Sequence, residues 1–96
     1  MSLLDRALDA IRARRPAARA LGIELVGVVG SVARGEASVR SDVDVAYEVV
    51  GPASLLDLAG LHLDLSDELG RRVDMVDLRR VRPRMVRDLA RDLVRA

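Results

Sequence analysis

Three short runs rich in β-branched residues, Ile23–Val29, Asp42–Val50 and Arg72–Leu78, alternate with segments of helical periodicity, and this most narrows the folds open to the chain. Leu4, Leu8 and Ile11 predict an amphipathic helix from Ser2 to Arg14. Pro16 suits the first turn of a second short helix ending at Gly22. Leu58, Leu61, Leu65 and Leu69 form one stripe of a helix over Ala53–Leu69, with Gly70 as its stop and Gly60 as a point where it could break. Pro83 opens a last helix whose core face reads as Val86, Leu89 or Ala90, and Leu93. The order α-α-β-β-α-β-α predicts an α+β fold, a small mixed sheet flanked by helices. A chain of 96 residues has room for one such domain, 1–96, with a modest core.

Composition excludes several classes. Half the residues are hydrophobic and about a third are charged, so the chain folds rather than staying disordered. It has no cysteine, hence no disulfide or thiolate metal site, and no apolar run long enough for a membrane span. With no export signal at its N-terminus either, a cytoplasmic location is expected. Tyr47 is the sole aromatic, which argues against direct nucleic-acid binding by base stacking. The net charge of +1 hides an asymmetry. Residues 1–40 carry seven Arg against four acids, residues 41–78 two against nine, and residues 79–96 seven against two. All the basic residues are Arg and there is no Lys, Asn, Gln or Thr, a palette that reflects genomic base composition.

The acidic middle holds the chemistry. Asp42 and Asp44 flank Val43 on a predicted strand, so both carboxylates face one side, about 6–7 Å apart. Val43, Val45, Tyr47 and Val49 face the other side and read as core. Two like charges on a buried strand persist when a cation lies between them, and a rigid carboxylate pair is what a divalent-cation site requires. On the third strand Asp74 and Asp77 have opposite parity, so only one can join the pair; Asp74, in mid-strand, is the choice. Glu48 shares the parity of Asp44 but lies about 13 Å along the strand, too far for one cluster.

Gly30-Ser31 ends the first strand, where a backbone without Cβ can approach a phosphate and the Ser31 hydroxyl can donate to it. The stretch GSVARGEASVRSDVDV resembles the motif of the minimal nucleotidyltransferases, small members of the DNA polymerase β-like superfamily, and VDMVD resembles their third-carboxylate strand. Val32, where an aromatic is frequent, and Val45, where Leu is usual, are mild departures. The resemblance implies the nucleotidyltransferase fold and Mg²⁺-dependent transfer of a nucleoside monophosphate from an NTP, ATP being the expected donor. It implies two Mg²⁺ ions held by catalytic Asp42, Asp44 and Asp74, and nucleotide binding by Gly30, Ser31 and Ser41. It further implies an acceptor presented by another protein, a tyrosine of a cognate HEPN-domain toxin, which gives the chain an antitoxin role. Two alternatives stand beside this: a non-catalytic antitoxin acting by occlusion, and transfer to RNA or a small molecule.

Other residues read more plainly. Arg34 either balances transition-state charge or pairs with Glu36. His62 has no metal-ligand spacing around it and reads as a surface or half-buried histidine. In the C-terminal segment, Asp88 and Asp92 lie at helical spacing from Arg84, Arg91 and Arg95, a solvated ion-pair face. Leu56 and Leu63 project opposite the Leu58/Leu65/Leu69 stripe, which predicts either a surface for self-association or a partner, or scattered exposed leucines.

Overall fold

The computed structural model describes residues 1–38 and 40–96; Val39, within the predicted Gly30–Ser41 connection, lies outside the described residues. The chain runs α1 (Leu3–Ala20), β1 (Ile23–Val29), α2 (Gly30–Ala33), β2 (Val43–Val49), α3 (Leu55–Leu69), β3 (Val73–Asp77), α4 (Pro83–Asp92) and β4 (Val94–Arg95). This is the predicted α+β class, with three differences in its elements.

The first is that α1 is one helix, not two, with Pro16 inside it. Proline costs a helix one backbone hydrogen bond. Here the apolar stripe of Ala7, Leu8 and Ile11 resumes at Ala18, and continuous burial on the sheet outweighs that loss. Ser2 and Asp5 form a reciprocal capping box at its start, as Ser54 and Asp57 do for α3. Gly60 does not break α3, which runs unbroken to Gly70 at φ +61°.

The second difference is the helical turn α2, directly after β1. The third is β4, a two-residue strand beyond α4 that closes the sheet order β3-β2-β1-β4. β1 pairs antiparallel with β2 and β4, while β2 and β3 are parallel and joined by α3 as the crossover. Among the described residues no helix is long and apolar enough to cross a membrane.

The two sheet faces are unequal. Val43, Val45, Tyr47 and Val73 pack with Ile11, Leu61 and Leu65 into the main core beneath α1 and α3, as strand parity predicts. The other face carries a thin layer of Val26, Val29 and Ala46, covered by Leu89 and Leu93 of the α4 region. Val86, read from sequence as core, is half exposed, because only Leu89 and Leu93, toward the C-terminal end of α4, reach the sheet.

A shift in the β1–β2 register between Leu25 and Gly27 is braced by Arg15, whose guanidinium donates to the carbonyls of Leu25 (3.1 Å) and Ala96 (3.1 Å). A Cβ at Gly27 would collide with the Val94 carbonyl and the Arg95 backbone. Gly27→Ala is therefore expected to push β4 off the sheet and lower stability by about 1–3 kcal/mol. Hydrogen exchange at the Ala96 amide, which donates to Val26, should then become fast; an amide still protected would refute the expectation.

Candidate active site

β2 stands between β1 and β3, and its register sets the site. Asp44 is directly opposite Val29 at the end of β1 and directly opposite Asp74 in β3. Cross-strand partners share a face, so the Asp44 and Asp74 carboxylates lie side by side. Asp77 is paired with Tyr47 on the other face, where it accepts from the Arg79 amide (3.0 Å). Glu48 is paired with Glu24 at the far end of the strand and forms an ion pair with Arg79. Asp42 lies just before β2, half exposed.

Burial, and then the negative charges of Asp74 and Asp42, raise the pKa of Asp44, while Arg34 acts in the opposite sense. The three carboxylates thus repel one another through a partly desolvated space. A cation stands at its solvent edge: Arg72, itself 78% exposed, has its Nε 3.8 Å from an Asp42 oxygen and 3.7 Å from an Asp74 oxygen. Among the described residues no three acidic, histidine or cysteine side chains converge into a ready metal cage. The donors nevertheless suit a hard divalent cation. They are carboxylates only, framed by paired strands, and their repulsion at Asp44 is what bound positive charge relieves.

Gly30 follows β1 with φ +77°, a conformation that favours glycine. A Cβ there would overlap the Asp44 Oδ2 atom, so the missing side chain is what lets the turn lie against the carboxylate. Ser31 is the second residue of α2, half buried, and its hydroxyl makes no hydrogen bond among the described residues. Ser41 differs: its hydroxyl accepts from the Ser38 amide (2.8 Å), closing the turn that leads into Asp42. Arg71 donates to the Ser38 and Ser41 carbonyls and holds that turn from β3's side.

Arg34 pairs with Glu36 (3.0 Å), as one sequence reading had it, and also with Asp92 (2.8 Å). His62 is half buried, and its Nε2–H donates to the Val73 carbonyl at the start of β3. Sequence reasoning missed Arg72, and it placed Asp92 on a solvated ion-pair face, whereas that side chain is nearly buried against Arg34. Arg72 could have been noticed as a cation two positions before Asp74, but nothing local links Asp92 to a residue 58 positions away.

A mixed sheet that sets two aligned aspartates beside a Gly-Ser turn defines the class. The sequence model of the family described as "Nucleotidyltransferase domain" matches residues 4–95, and the chain belongs to that family; it is a nucleotidyltransferase. A solved structure provisionally named a minimal nucleotidyltransferase is 39% identical, with a TM-score of 0.73, over 98% of this chain and 95% of that one. It is with these minimal nucleotidyltransferases that the chain falls. Protein adenylyltransferase MntA of Thermococcus cleftensis is 36% identical over 73 residues, 76% of this chain and 74% of the relative. A protein of Methanocaldococcus jannaschii, provisionally named a protein adenylyltransferase, is 36% identical over 62 residues, 65% of this chain and 67% of the relative. A toxin–antitoxin structure with AMP-PNP shares the fold at 21% identity and a TM-score of 0.68, over 95% of this chain and 69% of that one.

Proposed function

We propose that the protein transfers AMP from ATP to a hydroxyl of a partner protein, a tyrosine of a HEPN-type toxin, and so acts as an antitoxin. The observation that carries this is the alignment of Asp44 with Asp74 against the Gly30–Ser31 turn. The adenylyltransferase names of relatives at 36% identity, and the toxin–antitoxin assembly of a fold neighbour, support the choice of donor and acceptor.

Nucleotidyl transfer needs in-line positioning and neutralised charge more than covalent chemistry. Asp42, Asp44 and Asp74 would hold the Mg²⁺ ions, which supply neutralisation of the triphosphate and activation of the attacking hydroxyl. The Gly30 turn gives the phosphates backbone access, Ser31 offers a hydroxyl that has no partner among the described residues, and Ser41, directly before Asp42, accepts from the Ser38 amide. Residues 1–96 form one catalytic unit, and the acceptor comes from another chain.

Asp74 also lines a groove with Leu55, Leu58, Ala59, His62 and Met75, so an acceptor side chain reaching Asp74 passes the start of α3. Leu56 is 85% exposed and Leu63 62% exposed on that helix, which leaves the second leucine face open for a partner or a second copy. Replacing both by Glu is expected to weaken that association at least about tenfold, with the melting temperature unchanged. Native mass spectrometry giving the same complexes for parent and variant would rule the surface out.

The activity itself is tested by incubating the protein with ATP, Mg²⁺ and its genomically adjacent partner. The partner should gain the mass of AMP on a tyrosine. Unmodified partner that is nonetheless neutralised would replace catalysis by occlusion, and labelled RNA would redirect the acceptor.

A further inference from the structure

Arg34 is held from two sides. Its Nε donates to Glu36 (3.0 Å) and its Nη1 to Asp92 (2.8 Å), while Nη2 makes no hydrogen bond among the described residues. Asp92 is the last residue of α4, a helix with no fully buried residue, yet its side chain is only 8% exposed. Asp88, one turn earlier, is 64% exposed. A carboxylate is withdrawn from water on such a helix only when its partners replace the lost hydration, and here Arg34 and Arg91 do so. An ordinary surface ion pair adds little stability and leaves its arginine mobile. This one fixes a long side chain at the end of α2, the helical turn that starts at Gly30, where the Arg34 amide donates to the Gly30 carbonyl (3.1 Å). A guanidinium already immobilised, with its Nη2 group unengaged among the described residues, is suited to donate to a phosphate oxygen without a further ordering cost.

We propose that Asp92 is a positioning residue for Arg34, and that Arg34 so held binds the triphosphate of the incoming nucleotide. The inference rests on the nucleotidyl-transfer reading above. It gives the C-terminal helix, which supplies none of the three aspartates, a part in the nucleotide site.

The test is a double-mutant cycle on the full chain, with equilibrium binding of ATP in the presence of Mg²⁺ as the readout and KM and kcat beside it. Asp92→Asn is expected to weaken ATP binding about tenfold and to act mainly on KM, while Asp92→Glu retains most of the affinity. Arg34→Gln should weaken binding at least as much, and the double variant no more than Arg34→Gln alone. Unchanged affinity in Asp92→Asn with a lowered melting temperature would make the pair a mere tether of α4 and overturn the proposal. Independent, multiplying effects would overturn it too. Parent protein that fails to bind ATP would overturn the nucleotidyl-transfer reading itself.

Discussion

Replacing Asp44 with Asn is expected to reduce nucleotidyl transfer by about a thousandfold or more, while the metal-free protein stays at least as stable as its parent at neutral pH. The two effects have one cause. Asp44 lies in the register that aligns it with Asp74, and its pKa is raised by burial and by its two acidic neighbours. In the folded chain its proton is therefore held to higher pH than in the unfolded chain. Between those two pKa values the native state binds more protons, so stability falls as pH rises from the ordinary carboxylate range through the raised value, and the deficit persists above it. Asn keeps the shape and removes the charge. In EDTA the parent should lose melting temperature across this window and the variant should lose less; below it the two should converge. Mg²⁺ should stabilise the parent and leave the variant unmoved. Transfer by Asp44→Asn within tenfold of the parent would sink the three-carboxylate reading.

Gly30→Ala is expected to be nearly as damaging, by a different route. At φ +77° any L side chain is strained by about 1–2 kcal/mol. The added Cβ also overlaps the Asp44 carboxylate and must displace it. A misplacement of about 1 Å at a reacting centre costs on the order of a hundredfold in rate. Gly35 supplies the control, since it has nearly the same φ (+75°) but, among the described residues, nothing within 4 Å of an added Cβ. Gly35→Ala should therefore carry the backbone strain alone, about 1–2 kcal/mol of stability, with transfer near the parental rate. Equal activity losses in the two variants would mean that strain, and not the approach of Gly30 to Asp44, governs the site.

Much of this geometry is legible in the chain. Strand parity separates Asp44 from Tyr47 and sets Asp74 and Asp77 on opposite faces, because side-chain alternation is a local property; that Asp74 is the one beside Asp44 depends on the register of β2 with β3. The ends of α3 are equally local: Ser54 and Asp57 cap one, and Gly70 turns the other. Reading Pro16 as a helix start fails for a tertiary reason, since burial of Ala18 beside Ile11 carries the helix through the proline. β4 leaves no sequence signal, as two residues have no period to detect; it exists because Gly27 admits the Val94 carbonyl and Arg15 grips the terminal Ala96. Val86 misleads because amphipathic spacing predicts a buried face without saying how much of the helix the sheet can reach.

The sequence by itself determined the sheet's alternation, the opposite faces of Asp44 and Tyr47 and the glycine turn after β1, because each is written within a few residues by periodicity or by backbone freedom. Only the tertiary structure decided which charges meet: Arg72 between Asp42 and Asp74, and Asp92 against Arg34. Electrostatic contact depends on distance in space, and strand order and helix docking set that distance, whatever the separation along the chain.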